Sequence, residues 1–315
     1  MVKKRIFLLI LSISFLLLPV QAAEDYIRWV DFDVDYEVLR VAMELDIQSQ
    51  ETEQPLSWID ILALSATRCG GGKLSISSVK KAAKDLCGNL SVEELLGRQF
   101  QYYTYYHEAY TAVLGGLLGS YAIEVNGEWV PTYGLKAFSP IAAGYGYEHY
   151  PDFGGQRTYG FKRKHLGNDL MGALGTPIVA VEGGIIEAMG WNQYGGWRIG
   201  IRSKDRKRYY YYAHLQKDHP FPNDLREGMT VQAGDVIGFM GRTGYSTKEN
   251  SNNIDIVHLH FGIQLIFHES QKECNSEIWI NPYNLIRLLS THRSTIAKTN
   301  NTWSRLYPYR DLDEP

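Results

Sequence analysis

Val257-His-Leu-His-Phe-Gly-Ile-Gln-Leu265 decides the fold of the second half of this chain. Residues two apart in a strand share a face, so Val257, Leu259 and Phe261 point into a core while His258 and His260 project together from the opposite side. Burying one imidazole in so apolar a strand already needs a partner, and burying two needs a reason. Outward from this stretch, short apolar runs between glycines recur at Pro177–Val181, Gly184–Ala188, Trp197–Ile201, Arg208–Ala213 and Asp235–Gly238. No long helical pattern separates them, which favours an antiparallel sheet over a parallel α/β fold. Helix is expected to return only around Tyr283–Leu289, after Asn281-Pro282.

The first half has a different texture. From Tyr36 to Tyr121 apolar residues recur at three and four, as in Val38, Val41, Ala42 and Leu45. Ser91-Val-Glu-Glu94 is a capping-box signature that opens a long segment carrying Leu95, Phe100, Tyr103, Tyr106, Tyr110 and Leu114 as a stripe. A stripe at helical spacing reads first as core and only second as a sugar-stacking surface. His107 with Glu108 reads as a surface pair, and Val125–Tyr159, rich in Gly, Pro and Tyr, as a connecting segment or as loops rimming the next domain. The fold class expected is therefore α+β. The boundaries are a leader at 1–23, a helical domain at 24–124, a connecting segment at 125–159, a mainly antiparallel β domain at 160–290 and a tail at 291–315.

Met1–Ala23 combines Lys3, Lys4 and Arg5 with an apolar run from Ile6 to Leu18 and small residues at Ala22 and Ala23, the pattern of a secretory signal peptide. The run is shorter than the roughly 20 residues of a spanning helix, so contact with a membrane is expected only if the segment is retained as an anchor. A composition of 44% hydrophobic and 21% charged residues is that of a globular chain, and a net charge of -3 gives no reason to propose a nucleic acid partner. The basic run Lys204–Arg208 reads as a solvated hairpin end. Cys69 and Cys87 could bridge, leaving Cys274 over; none has metal or redox spacing, so all three read as structural.

Chemistry concentrates in His165-Leu-Gly-Asn-Asp169, Tyr209-Tyr-Tyr-Tyr-Ala-His-Leu215 and the His258/His260 pair. Gly167 and Gly172 argue against a helix, placing His165 and Asp169 on a loop or strand end. One anionic oxygen from Asp169, one nitrogen from His165 and one from the downstream pair make three zinc ligands with a fourth position open to water. The pattern does not choose between His258 and His260. Alternation puts His214 on the face of Tyr210 and Tyr212, where it reads equally as a histidine packed on aromatics. Beside the other motifs it becomes a second imidazole near the metal, able to take a proton or stabilise an oxyanion. His149, His219, His268 and His292 have no such company and read as surface residues.

Over roughly Arg163 to Gly262 these pieces resemble the lysostaphin-type, or LytM-type, zinc metallopeptidases, peptidoglycan endopeptidases with an H-x-x-x-D motif followed by H-x-H. The resemblance extends to Gly175-Thr-Pro-Ile-Val-Ala-Val-Glu-Gly-Gly184, Tyr212-Ala-His-Leu215, Gly228-Met-Thr-Val-Gln-Ala-Gly-Asp-Val-Ile-Gly238 and Gly241-Arg-Thr-Gly244. It implies zinc ligands His165, Asp169 and His260, catalytic His214 and His258, Zn2+ as cofactor, and an open antiparallel β-groove that holds an extended peptide. It further implies a secreted or cell-wall-associated endopeptidase that hydrolyses peptidoglycan cross-links or stems through a metal-activated water. The alternative is a silent wall-bound scaffold or amidase-activating module, since some family members have lost ligands; here every ligand and both histidines are present. Thr247–Val257 is an insertion expected to lengthen a groove-rim loop. The helical half lies outside the resemblance and is assigned a regulatory or targeting role.

Overall fold

The computed structural model describes residues 26–159, 161–272, 276–300, 302–306 and 308–312, Phe161 by its backbone alone. The expected signal segment and Cys274 lie outside the described residues. Among the described residues no helix is long and apolar enough to cross a membrane.

The chain opens with helices α1 (Tyr36–Ser49), α2 (Trp58–Cys69), α3 (Ile76–Leu86), α4 (Val92–Leu96) and α5 (Phe100–Leu114). Local chemistry sets their ends: the Ser57 hydroxyl accepts from Ile59 N to start α2, and Gly70 stops it in the left-handed conformation. Ser91 and Glu94 form the expected capping box, but the helix they open is short. Gly97 takes a φ of 53° and breaks it, so the long segment read from the sequence is α4, one turn of 3-10 helix and α5. Tyr103 and Tyr110 are buried, as core, while Tyr102 is 55% exposed. His107 bonds Asp60 at 3.2 Å rather than pairing with Glu108, which raises its pKa against the opposing effect of burial.

Strands β1 (Leu118–Val125) and β2 (Glu128–Leu135) then form a hairpin across the 124/125 boundary, in sequence read as helix and connecting segment. The turn is Asn126-Gly127, both at positive φ, the pair that two-residue hairpin turns favour. Next come β3 (Tyr147–His149), β4 (Gln156–Tyr159), β5 (Phe161–Lys164), β6 (Asn168–Gly172), β7 (Pro177–Val179), β8 (Gly184–Asn192), β9 (Gly196–Ser203) and β10 (Arg208–Ala213). They are followed by β11 (Thr230–Val231), β12 (Val236–Phe239), β13 (His258–Leu265), β14 (Ile278–Ile280) and α6 (Tyr283–Leu289). The tail holds β15 (Ile296–Thr299), β16 (Thr302–Arg305) and β17 (Tyr309–Asp311). The main sheet runs β11-β8-β9-β10-β13-β6-β3 with β14 also on β13, every pairing antiparallel.

One hydrophobic core serves both textures of the sequence, from Leu39, Leu62 and Leu114 of the helices to Leu170, Ile199 and Phe261 of the sheet. The tail is tied in as well: β17 pairs with β1, and Lys136 Nζ donates to Asp311 Oδ1 at 3.0 Å. Arg208 corrects the expectation of a solvated basic end at 204–208. It is 1% exposed and donates to both oxygens of Glu182, to Asp205, and to the Thr111 and Ala112 carbonyls at the end of α5. Its run looked solvated because sequence cannot reveal that Glu182 and the end of a distant helix converge there. Cys69 and Cys87 are free thiols, not a bridge.

Candidate metal centre

β13 behaves as its alternation predicts. Leu259 and Phe261 are fully buried beneath the sheet, and His258 and His260 face a groove on the other side. Antiparallel pairing sets His260 opposite Asp169 of β6, so a strand end supplies the carboxylate. His165 precedes that strand, and Gly167 lets the turn close: a Cβ there would meet the His260 ring at 2.8 Å and Phe261 O at 2.5 Å. The result is one triangle of donor atoms. His165 Nε2 lies 2.7 Å from His260 Nδ1 and 3.0 Å from Asp169 Oδ1, and His260 Nδ1 lies 3.2 Å from the same oxygen. Ligands about 2.0–2.1 Å from a tetrahedral zinc ion stand roughly 3.3 Å apart, so this donor set fits that ion.

His214 is reached differently from the expectation. Tyr210 and Tyr212 face the core, with Tyr210 Oη donating to Glu182 and Tyr212 against Phe261, so continued alternation would bury His214 with them. Instead His214 leaves the strand at a φ of 62°, which turns its ring onto the groove face beside His258, ring centres 4.8 Å apart. Positive φ is uncommon for a residue with a Cβ and is held here by Gly195 O, which accepts from His214 N at 2.7 Å. Both rings are oriented alike. His214 Nδ1 meets Thr243 O and His258 Nδ1 meets Ile256 O, each at 2.9 Å, so each Nδ1–H donates to a carbonyl and fixes its ring.

The electrostatics of the triangle favour a cation. Burial opposes protonation of His165, but Asp152 and Asp169 outweigh it and hold its pKa up at about 9. Burial also works against the Asp169 carboxylate, yet His165 and His260 keep it far below the usual range. Burial, reinforced by the neighbouring imidazoles, pushes His214 well below its ordinary value, and burial lowers His260 as well, so both rings are neutral at pH 7.

Residues that sequence reasoning missed support this arrangement. Asp152, in the loop after β3, accepts from Asn168 Nδ2 and Asp169 N through its carboxylate, while its carbonyl meets His165 Nδ1 at 3.1 Å. Arg157 of β4 binds both Asp152 and Asp169. The only sequence signal was their place in the stretch expected to rim the domain. His149 and His292, read as surface residues, are partly buried: His149 packs on Tyr283 and His292 stacks on Phe138. His219 is exposed against Phe239, and His268 caps a turn of 3-10 helix.

The groove encloses about 530 Å³ and is walled by Tyr194, Tyr209, Tyr211, Tyr245 and Trp279. Its floor contains a row of cross-strand partners, Gly200, Tyr211 and Gly262. A Cβ on Gly200 would fall 1.8 Å from Tyr209 Oη, and one on Gly262 would fall 2.8 Å from the Trp279 ring, so both aromatics lie against bare backbone. Among the described residues no histidine lines a cavity of about 600 Å³ between β11 and the β15–β16 hairpin, and its Asp235 is paired with Arg305. The chemistry lies in the groove.

A mainly antiparallel sheet thus carries a His-Asp-His triangle of candidate metal ligands in an open groove. Residues 163–275 match the model of Peptidase family M23. It is 36% identical over 124 residues to the L-Ala–D-Glu endopeptidase of Bacillus subtilis (strain 168), covering 39% of this chain and 36% of the relative. It is 37% identical over 121 residues to the glycyl-glycine endopeptidase ALE-1 of Staphylococcus capitis, covering 38% and 28%. The chain therefore spans little more than a third of these relatives at most. A Ruminococcus gnavus structure assigned as glycyl-glycine endopeptidase lytM matches with a TM-score of 0.55 and 25% identity, over 82% of this chain and 89% of that one.

Proposed function

We propose that the chain is a secreted, zinc-dependent endopeptidase that hydrolyses peptide bonds in peptidoglycan cross-links or stems. The observation that carries this reading is the convergence of His165 Nε2, Asp169 Oδ1 and His260 Nδ1 beside two further imidazoles in one open groove. Zn2+ held by these three residues would supply an activated water and a polarised peptide carbonyl. His214, neutral and locked by Thr243 O, offers its Nε2 lone pair to accept a proton in the groove. His258, held by Ile256 O, offers the same atom from the neighbouring strand, so the pair can receive and return a proton across the reacting bond. The aromatic walls suit an extended peptide laid across β9, β10 and β13. Export rests on the basic, apolar and small-residue pattern of 1–23.

The named activities of the two curated relatives, on L-Ala–D-Glu and on glycyl-glycine bonds, both support a peptide of the wall as substrate, and they differ in the bond. Incubating zinc-loaded protein with purified peptidoglycan and counting new amino termini tests the reading. Release that a chelator abolishes is the expected result. No release from any wall type, with one zinc demonstrably bound, would overturn it in favour of a wall-bound scaffold.

A further inference from the structure

Cations line the groove unevenly. Arg157 is committed to Asp152 and Asp169, and Lys272 to Glu187. On β9, Arg202 is fully engaged by Glu187, Glu269 and the Arg206 carbonyl. Arg198 sits on the same face of the same strand, nearer the metal triangle, and has no hydrogen-bond or ion-pair partner among the described residues; its Nη1 is shielded from water with nothing to bond. Arg163, on β5, repeats the pattern. Its guanidinium lies over the rings of Tyr194 and Tyr245, at 5.2 and 5.0 Å, and gives one N–H to Tyr245 Oη, yet its Nη1 is also buried and unpartnered. Among the described residues Glu277 is the groove's remaining acid, and it accepts from Trp279 Nε1.

Two guanidinium nitrogens left unsatisfied and shielded are costly, since a buried donor without a partner loses its hydration and gains nothing. Both arginines line the groove together with Tyr211. Burial raises the pKa of Tyr211, and the positive charges of Arg198 and Arg163 are among the influences that pull it back. A planar fork of N–H donors flanked by aromatic rings matches a carboxylate, which can accept two parallel bonds where water is excluded.

We propose that Arg163 and Arg198 form a carboxylate-binding subsite, so that the groove takes a peptide bearing a free carboxylate near the bond it cleaves in preference to a neutral chain such as oligoglycine. This rests on the endopeptidase reading and adds the substrate class to it. Arg198 stands two strands from His260, about 10 Å at a strand spacing of roughly 4.8 Å, which places the carboxylate within about three residues of the scissile bond.

The test compares binding of two synthetic peptides with amidated C-termini, Ala-D-Glu-Lys-D-Ala with the glutamate carboxylate free and the same peptide with that group as the carboxamide, with pentaglycine amide as a third probe. Fluorescence anisotropy is read on the full chain, with a chelator present in the binding arm to stop turnover. A charge-assisted pair predicts that the carboxylate form binds roughly 10- to 100-fold more tightly than the amide, and that Arg198→Gln removes the difference. Arg198 touches no described side chain through a hydrogen bond, so this variant leaves the fold intact. Equal binding of acid and amide overturns the subsite even where wall is cleaved. A preference that survives both Arg198→Gln and Arg163→Gln overturns the assignment to these residues. Failure of wall hydrolysis beside a clear carboxylate preference would sink the enzymatic reading and leave the subsite standing.

Discussion

Replacing Arg208 with alanine should destabilise the protein by about 3–5 kcal/mol, the range for breaking a buried ion pair from one side. Arg208 is 1% exposed and Glu182 is 8% exposed. Removing the guanidinium leaves the Glu182 carboxylate with the Tyr210 hydroxyl at 2.6 Å as its remaining described bond, and it takes the donor from the Ala112 carbonyl near the end of α5, while Thr111 O keeps the Gly115 N–H. A global stability of roughly 5–15 kcal/mol would fall by a large fraction. Equilibrium urea denaturation followed by tryptophan fluorescence and circular dichroism measures the loss. The double variant Arg208→Met with Glu182→Leu fills similar volume without charge and should recover part of it, because an apolar replacement of a buried pair is often neutral while the Tyr210 hydroxyl and Ala112 carbonyl here lose their partners. A loss below about 1 kcal/mol for Arg208→Ala would refute the claim that this network joins the helices to the sheet.

Three further outcomes follow from the same structure. Burial, joined by the repulsion of Arg287, holds the pKa of His149 at about 4 although Asn168 and Asp152 favour its charged form. The unfolded chain, with an ordinary value near ~6.5, binds more protons between those limits, so this stabilisation is complete above ~6.5 and is lost as pH falls to about 4. His149→Phe keeps a ring against Tyr283 and should flatten the stability–pH curve by about 2–3 kcal/mol between pH ~7 and ~4.5, while an unchanged slope would contradict it. Asp152→Ala should weaken zinc binding roughly 10- to 100-fold in a chelator competition, since Asp152 holds Asn168, Asp169 and His165 in place; an unaltered affinity would show that the triangle needs no such support. His260→Ala should lose both metal and wall hydrolysis, whereas His258→Ala should keep about one zinc and lose only hydrolysis. Metal analysis and amino-terminus release on the same samples would expose a wrong division of roles if His258→Ala lost the ion.

Much of this architecture was legible because period-2 alternation is a local property. The apolar residues of Val257–Leu265 fix which face of β13 is buried, and the antiparallel order follows from the absence of long helices between strands. The triangle was legible as residue types, but the choice of His260 over His258 needed either a resemblance or the register that sets His260 opposite Asp169. His214 shows where alternation fails. One residue at positive φ moves a side chain to the other face, and nothing in Tyr-Ala-His-Leu announces it. The hairpin at Asn126-Gly127 was signalled by its turn pair and outweighed by the aromatic texture around it. Arg208, Asp152 and Arg157 draw their roles from partners distant in sequence, so no window along the chain could have shown them.

The bare row of Gly200 and Gly262 beneath Tyr209 and Trp279 has a consequence for how such a groove diverges between related chains. Adding a single methyl group at Gly200 would displace the Tyr209 ring by an ångström or more, and at Gly262 would press on both the Trp279 ring and the Leu166 carbonyl, reshaping the channel without changing a polar side chain. Selectivity can therefore drift through floor positions that carry no functional group, and two chains with identical polar constellations can accept different peptides.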